Sequence, residues 1–183
     1  MDLLNFLEFD LPLHPLIVHF PIALAIFLPI LSITIFILFR NTVMYKKAWI
    51  LVVLFSGIYA VTALIAEETG ESEETKVERY VGESAMEKHE ELGERIPKVS
   101  WVLFVLSIIP LITNKTILSQ SIFIAASIAG VYPIYQAGHS GAELVYKYGA
   151  ANAHAKKLLE YKRDNGGKIY FKNREDLERK TGD

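Results

Sequence analysis

The sequence predicts an all-α integral membrane protein whose four helices form an antiparallel bundle and extend beyond the membrane on one side. The apolar fraction is 51% of 183 residues, above the ~45–50% of soluble domains even when glycine is counted with them. The charged residues avoid four long stretches and collect between them. Two of the connections are short, so consecutive helices must run in opposite directions.

Four apolar segments are long enough to cross a bilayer. The predicted spans cover about residues 15–39, 48–66, 95–113 and 116–138. At ~1.5 Å of rise per residue, segments of this length approach the ~30 Å thickness of the hydrocarbon layer. A buried core helix in a soluble protein explains one such segment, whereas four together indicate a membrane protein in contact with lipid.

The long polar connection is predicted to be a helical hairpin outside the membrane, over residues 67–94. Both halves have a helix-compatible composition, and the interruption is expected near Gly82. The fourth helix is expected to continue through Ala142–Tyr161. The transmembrane domain then covers residues 1–161, and residues 162–183 form a polar C-terminal tail.

The charges of the connections predict the orientation in the membrane. The short loops Arg40–Lys47 and Asn114–Lys115 hold four Lys/Arg and no acidic residue, whereas Glu67–Lys98 holds eleven Asp/Glu and five Lys/Arg. By the positive-inside rule, the two short loops face the cytoplasm. We therefore expect a multi-pass protein of the cell inner (plasma) membrane with both termini outside, in the periplasm of a diderm bacterium.

The composition limits which residue types could act as ligands or catalytic groups in a functional site. The chain has no cysteine, which excludes disulfides, thiolate metal sites and covalently attached c-type haem. A net charge of −2 gives no indication of a nucleic-acid partner. The sequence contains no phosphate loop, nucleophile elbow, zinc-protease motif or dinucleotide fingerprint. We therefore expect a binding or electron-transfer protein rather than an enzyme, with histidine and carboxylate as its ligands.

Four of the five histidines collect at the outer ends of the predicted helices. His14 and His19 begin the first helix, His89 lies on the approach to the third, and His139 lies at the end of the fourth. His19 stands within an apolar run, where a polar side chain is expected to face the bundle interior and a partner. His139 is flanked by glycines, which clear space beside its ring. His154 falls in a soluble-looking stretch and is expected to be exposed.

These residues also have structural explanations. His14 precedes a proline at a helix start, a position typical of a cap. The glutamates near the histidines are explained by a solvated helix surface. The alternative is that Glu90, which follows His89, and Glu143, one turn after His139, coordinate a metal ion or orient an imidazole.

Four short motifs stand out along the chain. The first helix opens with LHPLIVHFPIAL at Leu13–Leu24, and later landmarks are Thr69–Glu71, His89–Gly93 and Gly138–Gly149. Together they resemble an uncharacterised bacterial family of four-helix membrane domains with the opening pattern His-Pro-x-x-Val-His-Phe-Pro. The resemblance covers Leu13–Gly149 and implies the four-helix membrane fold. It carries no established activity, but the family is similar in outline to membrane-bound b-type cytochromes, which implies a redox role.

The first functional hypothesis is a b-type haem protein that transfers electrons at the outer face of the membrane. Non-covalent haem needs imidazoles on facing helices and small residues beside the macrocycle. His19 and His139 fit best because they are predicted to lie at a similar depth in the membrane. His14 and His89 would serve a second haem or an alternative pairing. The electron partner would be a periplasmic or membrane redox protein.

Two further hypotheses remain open from the sequence. One is a first-row transition metal ion bound by the four histidines with Glu90 or Glu143. The other is a non-catalytic membrane subunit whose hairpin docks a partner, with the histidines satisfied by hydrogen bonds. A homo-oligomer is compatible with each of the three.

Overall fold

The computed structural model describes residues 13–113 and 116–153, and within these ranges the secondary structure is helical without strands. The helices of this part of the chain are α1 (Leu13–Ile17), α2 (His19–Phe39), α3 (Tyr45–Val81), α4 (Glu83–Gly93), α5 (Arg95–Ile112), α6 (Thr116–Ala129) and α7 (Val131–Tyr146). They join into four rods long and apolar enough to cross a membrane: a first span Leu13–Phe39, a second Tyr45–Arg79, a third Glu83–Ile112 and a fourth Ile117–Tyr146. The predicted all-α fold with four membrane helices is confirmed.

Proline divides three of these spans. Helices α1, α4 and α6 end at Ile17, Gly93 and Ala129, and the residue four positions further on is a proline each time. A proline nitrogen has no hydrogen to donate to that carbonyl, so the helical ladder is interrupted there. The next residue keeps right-handed helical angles in all three cases, so each span continues after a local break.

Neighbouring spans pack around a square. Helix α2 packs on α3, α3 on α5, α5 on α6, and α6 on α2. The first and third spans are therefore one diagonal of the bundle, and the second and fourth spans are the other. Trp49 reaches across the second diagonal to Phe123, with ring centroids 5.7 Å apart. Because both rings are fully buried, they mark the bundle axis.

Contacts along neighbouring spans run in opposite order. Trp49 Nε1 donates a hydrogen bond of 2.9 Å to the carbonyl of Ser107, and Gly57 lies against the ring of Phe104. A rising residue number on the second span thus meets a falling number on the third. The second and third spans, which the hairpin joins, therefore pack in antiparallel order.

The second and third spans are joined at Gly82, close to the predicted interruption. Its φ of +85° is a conformation that glycine adopts without the steric cost of a Cβ. We call this end of the bundle the hairpin end, and the opposite end, with residues 40–44, the loop end. The location of the hairpin outside the membrane stays a prediction.

The predicted continuation of the fourth helix through Ala142–Tyr161 is interrupted. Helix α7 ends at Tyr146, and residues 151–153 are helical again, whereas residues 154–161 lie outside the described residues. Gly149 has a φ of +77°, and the N–H of Ala150 donates to the carbonyl of Leu144, a pattern typical of a helix C-terminus closed by glycine. The helix-favouring residues after Gly149 concealed this stop. His154 and the tail at 162–183 lie outside the described residues.

The surface of the spans is apolar, as lipid contact requires. Large aliphatic side chains such as Ile37, Val102 and Ile122 are more than half exposed. Small and hydroxylated residues lie inside instead, among them Ala63, with 1% of its surface exposed. This inside-out distribution is the one expected when hydrocarbon replaces water around a helical bundle.

Candidate functional site: a histidine pair at the hairpin end

His14 and His89 meet at the hairpin end of the bundle. Their ring centroids lie 6.3 Å apart, and the ring planes are inclined at 81°. His14 belongs to α1 and His89 to α4, which are parts of the diagonal first and third spans. Both residues are half-buried. The structure therefore brings together two of the four histidines that the sequence singled out.

The second span holds the ring of His14. Its Nδ1 lies 2.8 Å from the carbonyl oxygen of Ala66. A carbonyl only accepts hydrogen bonds, so Nδ1 carries the hydrogen, and Nε2 of the neutral ring keeps its lone pair. Glu73 Oε1 accepts the backbone N–H of Leu13 at 2.7 Å and anchors the start of α1. A Cβ at Gly70 would lie 3.1 Å from the His14 ring, so a glycine permits this close approach.

The fourth span holds the ring of His89 in a similar way. Its Nδ1 lies 2.8 Å from Ser140 Oγ, and that hydroxyl is placed to donate to the carbonyl of Ala137 at 2.9 Å. With the one hydroxyl hydrogen of Ser140 directed to the Ala137 carbonyl, the hydroxyl oxygen accepts from Nδ1–H of His89, and in that tautomer Nε2 of the neutral ring keeps its lone pair. A Cβ at Gly141 would lie 3.2 Å from the His89 ring.

This arrangement uses Nδ1 of each ring in a hydrogen bond and leaves Nε2 of each ring with its lone pair. A metal-binding histidine typically donates its other N–H to a protein oxygen, which fixes the tautomer and the ring orientation. His14 and His89 both make such a bond. Two imidazoles on opposite sides of one metal centre, each bonded at about 2.0 Å, have ring centres roughly 6 Å apart. The observed separation of 6.3 Å is of that size.

Small residues line the bundle at the level of the pair. Ala63 and Ala66 of the second span are buried, as is Ala137 of the fourth. Gly70 and Gly141 contact the two rings directly. A flat ligand held between the first and third spans would extend into the region between the second and fourth spans. The side chains of these residues are small, so they occupy little of that region.

His19 and His139 lie apart from the pair, and both are exposed. His19 follows His14 by five residues, so at ~100° per residue it points roughly 140° away from it around the helix. The prediction that His19 faces the bundle interior is therefore wrong. His139 stacks on Tyr135, with ring centroids 6.1 Å apart and planes inclined at 17°. The pairing of His19 with His139 gains no support from these positions.

Glu90 and Glu143 do not complete the site. Glu90 is exposed, and Glu143 forms an ion pair of 3.0 Å with Lys88. Within 13–113 and 116–153, no group of three or more His, Asp or Glu is arranged to hold a metal ion. The described part of the chain thus contributes two imidazoles to this site.

Sequence reasoning missed the residues that orient the pair. The Gly138–Gly149 motif drew attention to His139, whereas its neighbours Ser140 and Gly141 both lie against the ring of His89. Ala66 acts through its backbone, which no motif reveals. A usable signal was present nevertheless, because each of the four motifs places at least one residue at the site: His14, Gly70, His89 and Gly141.

Four spans with a histidine pair between them define a helical membrane protein with an interhelical site. The chain belongs to the DUF2231 family, described as a predicted membrane protein, whose family model matches residues 10–154. This match confirms the resemblance to an uncharacterised membrane family. No curated protein and no solved structure matches the chain.

Proposed function

We propose that the protein is a membrane-bound b-type cytochrome in which His14 and His89 are the two axial haem ligands. The observation that carries this proposal is the pair of neighbouring imidazoles, each with Nδ1 at 2.8 Å from a protein oxygen. In this arrangement Nδ1–H donates to the protein and Nε2 keeps its lone pair. This assignment replaces the His19–His139 pairing that the sequence favoured, and makes the pairing of His14 with His89 the principal one.

The number of donors favours haem over a bare metal ion. A haem macrocycle occupies four positions around iron and leaves two axial positions for the protein. A structural zinc ion, by contrast, almost always takes four protein ligands. The described residues offer two imidazoles here and no group of three or more ligands, which suits the first case.

The two histidines stand on helical segments that have freedom to adjust. Ligation by both rings would require the two Nε2 atoms to face one centre, and an inclination of 81° between the ring planes is compatible with this, because a ring can rotate about its bond to the ligated atom. Helix α1, with His14, ends at Ile17, and helix α4, with His89, ends at Gly93. Both ends are proline breaks, where a helix bends at low cost. Small rotations of α1 and α4 at these breaks would adjust the positions of the two Nε2 atoms and leave the long membrane helices in place.

Electron transfer at the outer face follows from the predicted orientation. The basic loop Arg40–Lys47 joins the first and second spans at the loop end, which the positive-inside rule assigns to the cytoplasm. The histidine pair lies at the opposite end. A haem held there exchanges electrons with a periplasmic protein or a second membrane protein, and the chain itself supplies the anchor.

An absorption spectrum of the detergent-purified protein, with haem and metal analysis, tests this function. We expect a Soret band that shifts on reduction by dithionite and about one haem b per chain. A colourless protein with one equivalent of a first-row metal would favour the metal-site alternative. A protein with neither, also after incubation with haem, would contradict the proposal and favour a non-catalytic membrane subunit.

A further inference from the structure

Serine hydroxyls lie within the membrane-spanning part of the bundle. Fully or almost fully buried serines occur on all four spans: Ser32, Ser56, Ser100, Ser107 and Ser127. Each hydroxyl donates to a carbonyl three or four residues earlier in its own helix. Their donors are therefore satisfied, while the oxygens keep lone pairs that accept further hydrogen bonds.

Two other buried side chains each have a polar atom without a hydrogen-bond partner. Tyr59 is 0% exposed and Gln120 is 1% exposed. Tyr59 Oη and Gln120 Nε2 have no hydrogen-bond partner among the described residues. A hydroxyl or amide group left unpaired in an apolar interior is costly, and in stable proteins such groups usually bind an internal water.

The two groups lie on opposite sides of the buried aromatic pair. Tyr59 follows Trp49 by ten residues toward the hairpin end, and Gln120 precedes Phe123 by three residues toward the loop end. Trp49 and Phe123 contact each other across the axis. The hydrogen bond from Trp49 Nε1 to the Ser107 carbonyl fixes the indole in this position.

A serine lies close in height to each unpaired group. Since Gly57 lies against Phe104 and the two spans run in opposite order, Tyr59 is within about one turn of Ser100 along the axis. Trp49 is level with Ser107, and Gln120 lies within about one turn of that level.

We propose that the bundle binds internal water at two separate sites, one at Tyr59 with Ser100 and one at Gln120 with Ser107. A buried water typically makes about three hydrogen bonds to polar groups, and each site offers an unpaired side-chain atom and a buried serine oxygen at a similar height in the bundle. The Trp49–Phe123 pair divides the two sites. The interior is therefore hydrated, yet it does not form a continuous path for protons between the two ends.

Hydroxyl-radical footprinting of the full chain in lipid nanodiscs tests the first site. Radicals generated from a bound water oxidise Tyr59 although it is buried, whereas Leu28, also 0% exposed, serves as the dry control. We expect an oxidation rate for Tyr59, corrected for the intrinsic reactivity of each side chain, at least several-fold above that of Leu28. An equal corrected rate would overturn the first site.

Thermal unfolding tests the second site, because glutamine reacts too slowly with radicals. Gln120→Met removes the hydrogen-bonding amide and keeps the length of the side chain. We expect a lower midpoint of unfolding if water satisfies the amide. An unchanged or raised midpoint would overturn the second site, because a dry, unpaired amide is better replaced by an apolar group.

Proton leak through proteoliposomes tests the division between the sites. We expect the double variant Trp49→Ala/Phe123→Ala to dissipate a pH gradient several-fold faster than the wild type. Leu28→Ala, which opens a cavity at another fully buried position, controls for loosened packing and should leak as slowly as the wild type. Equal leak rates for the double variant and the wild type would overturn the dividing role.

Discussion

His14 and His89 stand on diagonal spans of the bundle, and their ring centroids lie 6.3 Å apart. Each ring is held by a different neighbouring span, His14 by the carbonyl of Ala66 and His89 by the hydroxyl of Ser140. The pair thus connects all four spans at one end. Any change to the partners of the two rings should therefore affect the ligand site and the packing of that end together.

Replacing Ser140 by alanine should weaken haem binding about 10–100-fold, since the partner that orients a ligating histidine is usually worth that much. Ser140→Thr should retain most of the affinity, because threonine keeps the hydroxyl. Haem titration followed at the Soret band measures the effect. Ser127→Ala is the matched control, because that buried hydroxyl bonds only within its own helix. Equal affinities for Ser140→Ala and the wild type would contradict the orienting role.

Gly70→Ala should destabilise the bundle by roughly 1–3 kcal/mol, the usual cost of overpacking. Its Cβ would lie 3.1 Å from the ring of His14. Gly138→Ala is the control, since a Cβ there meets nothing within 4 Å and should be neutral or stabilise the helix by up to about 1 kcal/mol. Unfolding of both variants in mixed micelles gives the comparison, and equal stabilities would show that the Gly70 contact is unimportant.

The existence and order of the four spans could be predicted from the sequence, because long apolar runs and charged connections depend on composition alone. The side of each helix that faces the bundle interior could not be predicted. His14 and His19 are five residues apart, so one faces inward when the other faces outward. A helix that is apolar on all sides has no periodic pattern of polar residues that would show which of the two faces inward. The same uncertainty holds for the neighbours His139 and Ser140.

Local breaks were the second source of error. Proline breaks follow from the sequence: Pro21 has no N–H to donate to the carbonyl of Ile17, and α1 ends there. The stop at Gly149 was missed, because a single glycine is tolerated within a helix and ends one only when the surrounding carbonyls are capped.

Reporter fusions at Thr42 and Glu83 should give opposite signals. The loop that contains Thr42 carries Arg40 and Lys46 without an acidic residue, so we expect a cytoplasmic signal there and a periplasmic signal at Glu83. Alkaline phosphatase and green fluorescent protein fusions report the two compartments. A reversed pattern would move the histidine pair to the cytoplasmic face and exclude a periplasmic electron partner.

Spectra of four single variants test the assignment of the axial ligands most directly. We expect His14→Ala and His89→Ala to lose haem or to change from a six-coordinate to a five-coordinate spectrum, with added imidazole restoring the former. His19→Ala and His139→Ala, at exposed positions, should keep the wild-type spectrum and haem content. The opposite result, with haem retained in the first two variants and lost in the last two, would contradict the His14–His89 site.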